Sequence, residues 1–199
     1  LDALTAQINP HFLFNSLNTI AALTRTDAEA ARQVIVKLSS ILRQLLKKTE
    51  TFTPLREELA FIDDYLSIEI VRFGEEKLRV EKRIEAPVMD MPIPSMLLQP
   101  IVENAIKHGL GPRVEGGIIR IGAHPQGRYL MLEVRDNGMG IPPEILDQVH
   151  QKGIGISNVQ QRLQVLYGTD YLFHIESPAD GGTIIVLGIP MNGDSAVPA

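Results

Sequence analysis

Up to Gly74 the apolar residues recur at helical steps, and beyond it they alternate as in strands. Leu1, Leu4, Ile8, His11, Asn15 and Asn18 share one stripe of a helix that the pattern carries to about residue 24. The stripe begins apolar and turns into His, Asn and Asn. Thr26-Asp27 then supplies a turn and N-cap chemistry. A second helix follows with Val34, Leu38, Ile41 and Leu45 at heptad-like steps, flanked by Ile35, Leu42 and Leu46. Arg43, Lys47 and Lys48 mark its polar side. Thr53-Pro54 opens a third helix, with proline at the first position and Glu57 and Glu58 in the first turn. Gly74 is its C-terminal stop. Two helices with one apolar stripe each cannot bury it alone, so the pattern predicts two hairpins joined in a four-helix dimer.

After Gly74 the alternation predicts a strand near 77–85, a helix from Ser95 to Lys107, and strands over 118–123 and 129–135 joined through Pro125-Gln126-Gly127. Pro142-Pro143 opens a short helix, and Ser157 to Tyr167 forms a longer one ended by Gly168. Strands over 171–176 and 183–189 flank a Gly181-Gly182 turn, and a disordered tail is expected from Gly193. The predicted class is α+β. A helical dimerisation region occupies 1–74, a layered sandwich of helices and mainly antiparallel strands occupies 75–191, and a tail occupies 192–199.

Composition narrows the function without naming it. The chain has 199 residues, with 44% hydrophobic and 22% charged, as in ordinary globular proteins. A formal charge of −5 and a pI near 5.5 leave no basic footprint for nucleic acid. The absence of cysteine excludes a disulfide scaffold and a thiolate metal site, and suits a reducing compartment. No apolar run approaches the roughly 20 residues that span a bilayer. The chain begins at Leu1 without Met, already in a helical pattern. It is therefore expected to be a piece of a longer protein, any membrane segment of which lies elsewhere.

Four stretches carry candidate chemistry. Gln7-Ile8-Asn9-Pro10-His11-Phe12-Leu13-Phe14-Asn15 sets a histidine directly after a proline inside a helical pattern. Interior proline costs a helix about 3 kcal/mol, and such local rule-breaking gathers at functional sites. A lone histidine on an apolar face is, on the other hand, usually structural. Glu103-Asn104-Ala105-Ile106-Lys107-His108-Gly109 places Asn104, Lys107 and His108 at steps of three and four, on one helix face. An amide oxygen can take one place on an octahedral Mg²⁺, and a lysine can neutralise phosphate. The same segment also suits a solvated helix end whose cations face the dipole. Asp136-Asn137-Gly138-Met139-Gly140 ends a strand with a carboxylate and two glycines, which lets backbone approach a flat ligand. It is equally a common turn. Gly153-Ile154-Gly155 opens a helix where backbone N–H groups favour phosphate. Neither the P-loop nor the dinucleotide fingerprint occurs.

An Asn-bearing helix, a strand ending in Asp-x-Gly-x-Gly, a Gly-x-Gly helix start and a late Gly181-Gly182-Thr183 turn stand in one order. Together they resemble the N, G1 and G2 boxes of the Bergerat-type ATPase fold. That fold is shared by gyrase, heat-shock chaperones, mismatch-repair proteins and histidine kinases. The Pro-His-Phe-Leu-Phe-Asn run resembles the phosphoacceptor box of LytS-like sensor histidine kinases. The resemblance covers residues 5 to 190.

It implies an ATP- and Mg²⁺-dependent kinase that phosphorylates itself on His11 and passes the group to an aspartate of a response-regulator receiver domain. It also implies a homodimer formed through the hairpin. By the same resemblance Asn104 holds Mg²⁺ and Asp136 reads adenine. Gly138 and Gly140 line the nucleoside pocket, and Gly153, Gly155 and Lys107 meet phosphates. His108 and Thr183 complete the nucleotide-binding set. Ile141 to Lys152 form a short lid. The expected location is the cytoplasmic part of an inner-membrane sensor, with no nucleic-acid partner.

Two positions depart from related enzymes. Phe12 follows the phosphoacceptor where the commonest kinases carry an acid, so Glu103 becomes the candidate proton acceptor. Asn15 matches the place of an amide or hydroxyl that orients water for dephosphorylation. Pro100 stands four residues before Asn104, where hydrolytic ATPases of the fold carry a glutamate, so direct hydrolysis is expected to be poor. The alternatives are a nucleotide-driven conformational switch of the gyrase or chaperone kind, and a dimerisation module that holds nucleotide without using it.

Overall fold

The computed structural model describes residues 10–47, 50–142, 144 and 154–191. Three helices come first: α1 (Pro10–Leu23), α2 (Ala28–Lys47) and α3 (Leu55–Phe73). Asp27 caps α2, its Oδ1 accepting the Ala30 N–H at 2.9 Å. The α2 stripe of Val34, Leu38, Ile41 and Leu45 is buried, as its heptad steps predict. Part of its cover comes from the same chain, since α3 lays Leu59, Ile62 and Leu66 into the same core. The expectation that only a second hairpin covers these stripes is corrected to that extent. Phe12 turns inward from α1, its ring centroid 4.7 Å from that of Tyr65 on α3.

Strand β1 (Phe52–Pro54) pairs antiparallel with β3 (Pro92–Pro94), a two-stranded ladder that the proline content hides. Its presence moves the start of α3. Pro54 is extended at ψ 141° and α3 opens at Leu55, while the Leu55 and Arg56 N–H groups donate to Met91 and Met89 carbonyls. Gly74, at φ 97°, ends α3 as expected.

The second unit is a five-stranded sheet in the order β2-β4-β5-β7-β6. Its strands are β2 (Leu78–Ile84), β4 (Gly117–Gln126), β5 (Tyr129–Asp136), β6 (Leu172–Glu176) and β7 (Thr183–Pro190). The β2–β4 pair is parallel and the rest are antiparallel. Ile119, Ile121, Leu130, Leu132, Val134, Ile185 and Leu187 alternate inward, so one face of the central strands is buried. Helices α4 (Gln99–Asn104) and α5 (Ile154–Tyr167) pack with each other, and Ile101, Val102, Val159 and Leu163 join the core.

Helix α4 is shorter than the predicted Ser95–Lys107 span at both ends. At its start, the Glu58 carboxylate, fully buried on α3, accepts N–H groups of Met96, Leu98 and Gln99 at 2.9, 3.2 and 3.3 Å. Met96 adopts φ 58°, the only positive value outside glycine among the described residues. A side chain from the helical unit thus caps the helix that carries Asn104. Arg162 of α5 ties the same corner, donating to the carbonyls of Ser95 and, at 3.3 Å, Thr51. At its other end α4 opens into a π-helical turn, Ala105–Leu110. The expected helix at Pro142-Pro143, the lid and the tail fall mostly or wholly outside the described residues. So do the residues before Pro10, and with them the expected helical setting of that proline.

Candidate nucleotide and phosphoacceptor site

The widened turn sets the geometry of the nucleotide end. Asn104 is half-buried, and Lys107 and His108 beyond it are exposed. Desolvation first, then the neighbouring Lys107 cation, lower the His108 pKa. The turn also brings Gly109 against the end of β5. Met139 donates its N–H to the Gly109 carbonyl at 3.0 Å. A Cβ on Gly109 would stand 2.7 Å from Asp136 Oδ1, and one on Gly138 would stand 2.3 Å from the Gly109 carbonyl.

Asp136 is almost fully buried at the strand end. Its Oδ1 accepts the Gly138 N–H at 2.8 Å, and Thr183 donates to the carboxylate from backbone and side chain. Burial pushes its pKa up and these hydrogen bonds pull against that rise. The Gly182 N–H donates to the Gly138 carbonyl at 2.9 Å. Gly182 has φ 86°, and a Cβ there would lie 2.3 Å from the Asp136 carbonyl. Asn137 Oδ1 accepts the Ile118 N–H at 2.7 Å, which pins the loop to β4. Beyond it, Ser177 Oγ accepts the Ile141 N–H and donates to the Gly182 carbonyl, both at 2.8 Å. Gly140, at φ 73°, lies against this serine.

A second close approach lies between α4 and α5. A Cβ on Gly155 would be 2.7 Å from Asn104 Nδ2, so the amide and the helix start are in near contact. Gly153 lies outside the described residues. The fixed carboxylate, the bare glycine backbone and this amide suit a nucleoside base at one end and Mg²⁺-bound phosphates at the other.

His11 stands exposed on α1, and the Asn15 side-chain amide reaches its Nδ1 at 3.1 Å. The histidine lines a cavity of about 330 Å³ with Tyr65, Glu69, Arg72, Glu103 and Lys107. Glu103 Oε1 accepts Gln99 Nε2 at 2.8 Å. Glu69 is 2% exposed, and its pKa is pushed up to about 7, chiefly by burial. The Arg72 cation opposes that rise and Glu103 adds to it. Arg72 Nη2 lies 2.6 Å from Glu69 Oε2 as an ion pair. That oxygen has no hydrogen bond of good geometry. The Tyr65 phenol is pushed well above its ordinary range by burial and both glutamates.

The structure thus joins Asp136, Gly138 and Thr183 at one end, and Asn104 with Gly155 at the other. It brings Lys107 and Glu103 to the cavity of His11. Motif reading missed Gly109, Ser177 and the group of Tyr65, Glu69 and Arg72. One signal was present for the last: Glu58 and Glu69 both interrupt the apolar stripe of α3.

A strand-end carboxylate set in bare glycine backbone, facing an amide-bearing helix on a mixed sheet, marks a nucleotide-binding sandwich, here joined to a helix that displays a histidine. Residues 1–78 match the family described as histidine kinase. Residues 90–193 match that of histidine kinase-, DNA gyrase B- and HSP90-like ATPases. The chain belongs to the histidine kinases. It is 38% identical over 192 residues to the sensor histidine kinase BtsS of Escherichia coli, an alignment covering 96% of this chain and 33% of that protein. It is 36% identical over 200 residues to the sensor protein LytS of Bacillus subtilis, covering 96% and 34%. The chain spans about a third of the length of these curated relatives. The fold is also that of the histidine kinase domain of Erythrobacter litoralis EL346, a blue-light activated histidine kinase. There the TM-score is 0.55 at 17% identity, with 96% of this chain and 92% of that one covered. The catalytic domain of the histidine kinase ThkA gives 0.55 at 18%, covering 71% and 95%.

Proposed function

We propose that the chain is the catalytic core of a sensor histidine kinase, which transfers the γ-phosphoryl of ATP to His11 and then to an aspartate of a response-regulator receiver domain. The observation that carries the reading is the shared cavity. His11 opens onto the space lined by Glu103 and Lys107, at the end of the helix bearing Asn104.

Asp136 accepts the exocyclic amine of adenine, and Thr183 holds the carboxylate in place. Gly138 and Gly140 give the base room beside backbone. Gly155 presents the start of α5 to phosphate, with Gly153 before it in sequence, and Lys107 and His108 flank the phosphates. The residues present fit Mg²⁺: the Asn104 amide would hold it beside Gly155. When bound, the ion spreads the charge of the phosphates. The protein's own part is to align the imidazole with the phosphorus and to offer cationic groups to the loose transition state.

Nε2 is the attacking atom, because Asn15 holds Nδ1. With the amide turned to present its oxygen, Nδ1 keeps its proton and Nε2 its lone pair. Asn15 also stands where it can orient water for removal of a phosphoryl group. Phe14, Leu17, Ile35 and Val36 remain exposed on α1 and α2, which supports association with a second copy through the helices. No described helix is long and apolar enough to cross a membrane. The reading places the chain on the cytoplasmic side of a membrane sensor, attached through segments outside this sequence.

Incubation with γ-labelled ATP tests the reading. Acid-labile, alkali-stable label on the protein, lost in His11→Gln, is the expected result. Free phosphate without protein label, or label that survives His11→Gln, points to a nucleotide-driven switch instead. Pro100 opens α4 where a water-activating glutamate would be needed, which disfavours that alternative.

A further inference from the structure

We propose that Glu69 of α3 takes up the proton that His11 releases during phosphoryl transfer. The proposal rests on the kinase reading above and supplies what Phe12 leaves missing. Phe12 is committed to the core against Tyr65, one turn before Glu69 on the same helix. The packing that removes an acid from the position after His11 thus brings an acid from α3 to the wall of the His11 cavity.

The charged and titratable groups at that cavity are few enough to be weighed in turn. From α3 come Tyr65, Glu69 and Arg72, from α1 His11, from α4 Glu103, and from the π turn Lys107. Arg72 and Lys107 are cations and take no proton. The Tyr65 phenol stays protonated, because burial and both glutamates oppose its ionisation. Glu103 already accepts the Gln99 amide. Glu69 Oε2 is buried with no hydrogen bond of good geometry, and among the described residues its ion pair is with Arg72, whose Nη2 lies 2.6 Å away. Burial of this carboxylate favours its protonated form and outweighs the pull of the Arg72 cation. That raises its proton affinity into the range that suits exchange with an imidazole near neutral pH.

In the step, His11 Nε2 attacks the γ-phosphorus with its lone pair and an N–P bond forms. The bond from phosphorus to the β–γ bridging oxygen breaks, and its electron pair leaves on ADP. The Nδ1 proton, acidified by the new bond, leaves its hydrogen bond to Asn15 and passes through water to a Glu69 oxygen. A space of about 330 Å³ is ample to carry it on water. Glu69 becomes neutral, and the phosphohistidine ring carries no excess proton.

The test follows His11 phosphorylation from γ-labelled ATP between about pH 5 and pH 9, with nucleotide affinity measured in parallel. Wild type, Glu69→Gln, Glu69→Asp, Glu103→Gln and His11→Gln are compared. Glu69→Gln is expected to lower the rate at saturating ATP by about 100-fold or more, with KM for ATP within about twofold. Its rise of rate with pH should flatten as the Glu69 titration is lost. Glu69→Asp should restore part of the rate. A rate within about threefold of wild type, an unchanged slope, or a slope altered by Glu103→Gln and not by Glu69→Gln overturns the proposal. Should Glu69→Gln not fold, the Asp variant decides, because a shifted pH profile supports the role and an unshifted one refutes it. Wild-type label that is absent or survives His11→Gln sinks the kinase reading itself, and this assignment with it. Label that depends on His11 but is indifferent to Glu69 sinks the assignment alone.

Discussion

His11 Nδ1 and the side-chain amide of Asn15 lie 3.1 Å apart, one helical turn from each other on an exposed face of α1. The contact restrains the ring and leaves Nε2 as the atom that reaches out. Asn15→Ala removes the restraint without disturbing the core. Autophosphorylation should slow about three- to tenfold, the worth of one hydrogen bond, with ATP affinity unchanged. A quantitative labelling time course checks this, and an unchanged rate would show that the amide has no part in aiming the ring.

Close backbone packing around the Asp136 carboxylate shapes the end proposed to hold the nucleoside. Gly109 and Gly138 meet each other and Asp136 so closely that neither tolerates a methyl group. Asp136 cannot retreat, since Gly138 and Thr183 hold it. Gly109→Ala and Gly138→Ala should each cut ATP affinity by at least about tenfold while the helical region stays folded. Nucleotide titration by calorimetry or fluorescence measures it. Retained affinity in both would place the base elsewhere.

Glu69 makes stability depend on pH. Its pKa is about 7 in the folded chain against an ordinary 4.5, so the native state holds the proton more tightly than the unfolded one. Stability contributed by this group is therefore full at pH values below about 4.5 and declines as pH rises towards 7. Glu69→Gln removes that titration. The variant should be more stable than wild type at pH 8 by roughly 1 to 3 kcal/mol, and the gap should close as pH falls towards 5. Denaturant melts across this range check the sign, and a gap that does not vary with pH would contradict it.

Glu58 is the join between the helical unit and α4. It accepts three backbone N–H groups while fully buried. Glu58→Ala leaves those donors without partners and should destabilise the chain by roughly 2 to 4 kcal/mol. Because α4 carries Asn104, ATP affinity should fall as well. Melting and nucleotide titration read the two effects, and loss of stability with intact affinity would show that the cap does not position the helix.

Much of this molecule is legible along the chain. The Asp27 cap, the heptad stripe of α2 and the Gly74 stop follow from local rules. The central strands follow from alternation, and the Asp136-to-Gly140 loop stands where its motif predicts. The π turn is not legible, because one inserted residue leaves composition unchanged while shifting every later side chain. The β1–β3 ladder is hidden in segments rich in proline. Glu58 and Glu69 look alike on paper, two acids in an apolar stripe, yet one caps a helix and the other lines the cavity of His11.

By itself the sequence supplied the candidates on which the proposed function rests: a histidine to receive a group, an amide for a cation, and a carboxylate with glycines for a base. Periodicity also determined which face of each helix and strand turns inward. The tertiary structure decided which inward face meets which, and so which acid stands at the wall of the His11 cavity. Local pattern encodes orientation relative to a segment's own axis, whereas partnership between distant segments arises only when packing closes the core.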